Sequence, residues 1–245
     1  MMNKNESAEW RRYKVDISIF RMYDENITLS SEYRIAVFPH KSSKSLVKID
    51  FVRTSLMKLH DGAEYESIAG NIGVALFPIE LDISENRELV GVRNWKIALR
   101  RVKKELKNYA CTDHIVKYFA KSVNAIESEE DFAGSLLRST FFQFMFRNDM
   151  GGDMVHFIYN YPKFGNVFPF MCDAESDVYG LNMRNYKAKL GRMDWFGERS
   201  YSGSGKLCYN FSDDILPEKV DASFLIESEC EGFFKKEVHI RRLLE

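Results

Sequence analysis

The chain is poor in the residues that announce chemistry. Cysteine occurs 4 times in 245 residues, at Cys111, Cys172, Cys208 and Cys230. They lie far apart and form no CxxC pair, so neither a disulfide framework nor a closed zinc site is written into the sequence. Thiols so scattered read as reduced, which makes the cytoplasm the expected compartment. No apolar run approaches the roughly 18 residues that span a bilayer, and no membrane partner is expected. Met1 to Trp10 lacks the apolar stretch of a leader peptide. An excess of one charge is missing too. With 35 basic and 36 acidic residues the net charge is −1, so a general electrostatic grip on nucleic acid is not expected.

Catalytic motifs are equally scarce. Gly203-Ser204-Gly205-Lys206 invites a phosphate-loop reading, but Ser200 stands where that motif needs glycine and Leu207 where it needs Ser or Thr. A flexible turn over Gly197 to Gly205 is expected instead. Cys111 and His114 have the spacing of half a zinc site, and no second pair answers them. His156 falls on the face of its strand opposite Val155 and Phe157, as a structural histidine or a general base would. The acidic runs Glu127 to Asp131 and Asp173 to Asp177 lack calcium-loop spacing. No catalytic residue, metal or cofactor is assigned. An enzyme built on Cys111, His114 or His156 ranks last among the functional readings.

What the chain has in quantity is aromatic bulk, 19 Phe and 12 Tyr, enough for a large core. The stretch Asn71 to Tyr109 organises it. Phe77, Ile79, Leu81 and Ile83 alternate with Pro78, Glu80, Asp82 and Ser84, the period of a strand buried on one face. Pro78 must sit near the start of that strand, at a bulge or on an edge. Glu85, Asn86 and Arg87 make a turn, and Leu89 to Val92 return. Asn94 is placed to cap a helix with its side chain. Trp95, Ala98, Leu99, Val102, Leu106 and Tyr109 then form a helical stripe. Its other faces carry six cations, Lys96, Arg100, Arg101, Lys103, Lys104 and Lys107, against one acid, Glu105, a net +5.

Alternation also marks strands from Trp10 to Tyr23, around Tyr33 to Val37 and from Val47 to Phe51. There the phase slips to Val52, Thr54 and Leu56, which predicts a bulge near Arg53 or the start of a short helix. A second helix follows Thr112 or Asp113. Ser128 with Asp131 resembles a capping box at the head of a third, which ends in Phe141-Phe142-Gln143-Phe144-Met145-Phe146. That run is apolar all round, as a buried helix or a strand would be. After Gly151-Gly152 come strands over Met154 to Tyr161, Val167 to Cys172, one or two within Val178 to Trp195, Leu207 to Phe211, Ser223 to Glu229 and Phe233 to Ile240, with Pro217 in a loop.

Strands, helices, then strands again define an α+β chain. The expected architecture is a mainly antiparallel, curved sheet formed by N- and C-terminal strand blocks around a central three-helix segment. Residues 1–9 are expected to be a flexible N-terminus and 10–245 a single domain, with strands over 10–92, helices over 95–147 and strands over 154–240. Abundant core without a catalytic constellation leads first to a soluble, non-enzymatic binding protein that works by contact with another protein, as an adaptor, assembly subunit or immunity-type inhibitor. Its contact residues would be Arg100, Arg101, Lys104, Lys107, Tyr161, Phe164 and Trp195. The alternative is a carrier of an apolar small molecule in a cavity lined by Phe141, Phe142, Phe144, Met145 and Phe146.

Overall fold

The computed structural model describes residues 10–21, 27–38, 44–57, 73–109, 117, 120, 121, 123–146, 154–160, 166–174, 183–191, 201–211, 215–229 and 232–244. Among them one antiparallel sheet dominates. Its strands are β1 (Trp10–Arg21), β2 (Ile27–Phe38), β3 (Lys44–Met57), β4 (Ile79–Ser84), β5 (Leu89–Val92), β6 (Met154–Asn160), β7 (Asn166–Ala174), β8 (Met183–Leu190), β9 (Tyr201–Phe211), β10 (Pro217–Ser228) and β11 (Gly232–Leu243). They lie in the order β5-β4-β3-β2-β1-β11-β10-β9-β8-β7-β6. Each block is therefore a meander, and the first and last strands join them at the middle. The sheet is curved and does not close.

The alternation seen in the sequence sets which side chains face inward. Tyr13 and Val15 of β1, Ile35 of β2, Val47 and Ile49 of β3, and Ile79, Leu81 and Ile83 of β4 are buried, as are Phe168, Phe170, Tyr186, Leu207, Phe224 and Val238 from the other block. All belong to one continuous core. Each such side chain, once fully removed from water, contributes about 1.5–3 kcal/mol. The phase slip in β3 is a bulge. Tyr33 pairs with Phe51 and Glu32 with Arg53, which leaves Val52 as the extra residue, and the strand runs on to Met57. Pro78 directly precedes β4 and follows a cis peptide bond.

Three helices are described in full: α1 (Trp95–Leu106), α2 (Glu129–Leu137) and α3 (Thr140–Met145). The stripe of α1 buries Ala98, Leu99, Val102 and Leu106. Asn94 does not cap it. Its side chain accepts from the Glu80 amide at 3.0 Å and donates to the Pro78 carbonyl at 3.0 Å, so it ties the helix to the start of β4 instead. The α2 capping box is real, with Ser128 Oγ accepting from the Asp131 amide at 3.0 Å and Asp131 Oδ2 accepting from the Ser128 amide at 3.1 Å. Ser128 Oγ also donates to Asp131 Oδ2 at 2.7 Å, and this bond above all holds the Asp131 carboxyl below its usual range. The Phe141–Phe146 run is helical, not extended, and all six residues are buried.

The glycine-rich stretch differs most from expectation. Gly203, Ser204 and Gly205 lie inside β9 and not in a turn. Both glycines occupy inward positions where a neighbouring ring needs the space. A Cβ at Gly203 would stand 3.1 Å from Phe170 Cζ, and one at Gly205 would stand 2.7 Å from Phe224 Cδ1. Pro217 likewise begins β10 and is buried there.

Candidate functional site

The basic face of α1 does not survive as a uniform contact patch. Arg101 turns back toward the sheet. Its guanidinium donates to the carbonyls of Ala75 at 3.0 Å, Leu76 at 2.7 Å and Pro78 at 2.7 Å, and so caps the backbone entering β4. Partial burial lowers its pKa. Arg100 Nε donates to the Lys96 carbonyl within its own helix. Lys104 and Lys107 remain exposed. Tyr161, Phe164 and Trp195 lie outside the described residues, as do Cys111 and His114. His156 lies on β6, and its side chain is outside the description.

The outer face of the sheet carries a Cys, Asp and His row. Asp221 pairs with His239 on one side and with Cys208 on the other. These three help to line an open groove of about 320 Å³ with Asn185, Lys206 and Ser223. His239 Nδ1 lies 2.7 Å from Asp221 Oδ1. Burial would raise the Asp221 carboxyl, but hydrogen bonds from Lys219 and His239 outweigh it and hold the group below its usual range. Burial raises the Cys208 thiol, and the Asp221 charge adds to that. The carboxylate therefore stands between thiol and imidazole and disfavours a thiolate, the reverse of an activated cysteine. Nor does any group of three or more His, Cys, Asp or Glu suited to a metal occur among the described residues. Further along the same face, Glu32 is covered by two guanidiniums rather than by the bulk of the sheet. Its hydrogen bond with Arg53, helped by Arg12 at 2.8 Å, keeps its carboxyl below the usual range despite desolvation.

The inner face has a different character. Tyr33 stacks on Phe141 with centroids 4.0 Å apart, and Phe77 stacks on Phe142 at 6.3 Å. Tyr33 also meets Phe51 edge-on at 5.6 Å. Burial pushes the Tyr33 hydroxyl up to about 12. Phe144, in contrast, packs on the other block, 6.1 Å from Phe224. The short helix α3 thus lies across the middle of the sheet, touching β2 with Phe141 and β10 with Phe144. Its cover is incomplete. The inward residues Ile17, Ile19, Tyr33, Phe51 and Phe77 are only half-buried, although Ile79, Leu81 and Ile83 beside them have no exposure at all.

One inward position breaks the apolar pattern. Lys236 of β11 lies in register between Ile19 and Phe224 and is 5% exposed. Its Nζ donates to Thr140 Oγ1, the first residue of α3, at 2.8 Å. Burial lowers its pKa to about 8. Its inward phase is visible in the sequence, because Phe234, Val238 and Ile240 share its side of the strand, although no motif marks the residue.

No family model matches the chain, and no curated protein matches it. Similar arrangements occur among solved structures. One is lipovitellin, in a structure described by its lipid–protein interactions, at 11% identity and a TM-score of 0.46. The likeness covers 96% of this chain and 25% of lipovitellin, so this chain spans about a quarter of that protein's length. Others are a LolA superfamily protein from Nitrosomonas europaea, at 10% identity, TM-score 0.29 and coverage of 98% and 88%, and a DUF1329 family protein from Desulfovibrio piger, at 13%, 0.21, and 97% and 87%. The expectation of a protein-contact adaptor is corrected on the face of α1, where the inward turn of Arg101 removes the centre of the patch on which that expectation rested.

Proposed function

We propose that this chain is a carrier of an apolar molecule, held against the inner face of the sheet. The supporting observation is a half-buried wall of Tyr33, Phe51 and Phe77, with Ile17 and Ile19 half-buried as well further along the same face. A sheet that seals β4 completely yet leaves this much apolar surface part-wet beside it has a place for an apolar guest. Phe141 and Phe142 stand behind the wall as its backing. Phe144, Met145 and Phe146 belong to the packed interior and are not ligand contacts in this proposal. Residues 10–245 work as one unit in this reading, supported by the continuous sheet and core. The cytoplasmic placement is kept with it, supported by Cys172 and Cys208, which form no disulfide. No helix among the described residues is long and apolar enough to cross a membrane.

Fluorescence titration with N-phenyl-1-naphthylamine, a neutral apolar dye, tests the proposal. Saturable binding that weakens when Tyr33 and Phe77 are both changed to serine is expected. Absence of saturable binding, with native mass spectrometry showing no retained molecule, would overturn it.

A further inference from the structure

We propose that Lys236, held by Thr140, is the anchor for an anionic head group, so that the carried molecule is a long-chain amphiphile with a single acidic end, of the fatty-acid type. The inference rests on the carrier reading and names the chemistry of its cargo.

The geometry leads to it in steps. Along β11 the outward residues Lys235 and Glu237 pair with each other at 2.6 Å, which leaves Lys236 pointing the other way, into the core. Across the inner face its row reads Ile19, Lys236, Phe224, Gly205, Ala188 and Cys172, from β1 to β7. One cation therefore stands in a row otherwise without charge. An ammonium has three protons to donate, and Thr140 takes one. No carboxylate partners it among the described residues. A buried charge without a counter-charge is costly, and a packed apolar side chain in the same place would serve stability better. At neutral pH the amine still keeps most of its proton, so the positive charge is present and has no counter-charge among the described residues.

An acidic cargo resolves this. Its carboxylate would supply the missing counter-charge and accept the remaining ammonium protons, a charge-assisted contact strengthened by the apolar surroundings. Access exists on one side. Ile19, directly across from Lys236, is half-buried, and so is Ile17, the next inward residue of β1. A chain lying over Ile17 and Ile19 would place its end at Lys236. A wholly neutral cargo would gain nothing from the amine and would leave its charge as uncompensated as before.

The test compares dodecanoate with dodecanol, which share a tail and differ in the head, by equilibrium binding at pH 7 to the full chain. Wild type should hold dodecanoate at least about 10-fold more tightly than dodecanol. Lys236→Met should abolish or reverse that preference while dodecanol binds as well or better. Thr140→Val, which keeps the lysine, should weaken dodecanoate by about 3-fold more than it weakens dodecanol. It supplies the answer even if the Met variant fails to fold. Equal binding of the two ligands, unchanged in Thr140→Val, would overturn the anchor and leave the carrier reading intact. Binding of neither ligand would overturn both.

Discussion

Two regions of the inner face, one near the β5 edge and one at the middle of the sheet, were built from the same alphabet and finished differently. Under α1, strand β4 presents Ile79, Leu81 and Ile83, all without exposure, and α1 lays Ala98, Leu99 and Val102 over that corner. Four strands away, β11 presents Phe234, Lys236, Val238 and Ile240 next to a β1 whose Ile17 and Ile19 are half-open. The first arrangement is what stability alone produces. The second leaves apolar surface part-wet and buries a charge, and neither choice helps folding. The difference teaches where function sits: at the place where the sheet departs from the solution it uses elsewhere.

Three experiments would break or sharpen this contrast. The largest effect is expected in the sealed corner. Leu81→Ala should cost about 2–5 kcal/mol, because the cavity has no route to collapse, whereas Ile17→Ala on the half-open strand should cost about 1 kcal/mol or less. Urea midpoints of the two variants measure the gap, and equal losses would erase the contrast.

Next comes Lys236. Its folded-state pKa lies near 8 and its ordinary value is 10.5. Between those values the unfolded chain holds the proton and the folded chain releases it, so the unfolded state binds more protons and stability rises with pH. The ligand-free protein should gain about 3 kcal/mol as pH climbs from about 8 toward 10.5. Lys236→Met should lose that component of the pH profile and be the more stable protein at pH 7. A Met variant that keeps the same rise would show that another group is responsible.

The smallest effect belongs to α2. Ser128→Ala removes one half of its capping box and should cost about 1 kcal/mol. Because α2 packs on β5 and α3, loosened binding of an apolar dye alongside this small loss would extend the site toward that helix, and unchanged dye binding would confine it to the wall.

Much of this arrangement was legible in the residue order. Period-two alternation located the strands of the first block, and the slip at Val52 marked the bulge because one extra residue inverts every later side chain. The stripe of α1 and the Ser128–Asp131 pair were equally readable, since both depend on neighbours a turn away. What could not be read depends on partners across the sheet. Gly203 and Gly205 resemble a turn until Phe170 and Phe224 are known to lie against them. Arg101 looks like one more surface cation until three carbonyls converge on it. Lys236 is the instructive miss. Its inward phase was visible, but its solitude was not, because only the fold shows that Ile19 and Phe224 flank it and that Thr140 is its one hydrogen-bond partner among the described residues.

The margin at β5 has a consequence of its own. An unclosed sheet ends in a row of free amides that can recruit a foreign strand and start a fibril. Here the chain occupies two of those amides itself: the Phe146 carbonyl accepts from Leu89 at 3.1 Å, and Glu129 Oε1 accepts from Val92 at 2.7 Å. Gly91 makes the second contact possible, since any Cβ there would meet that oxygen at 2.6 Å. A glycine and a glutamate thus act as a stopper against stacking copy upon copy along that border, a safeguard that a protein displaying so much greasy surface has reason to keep.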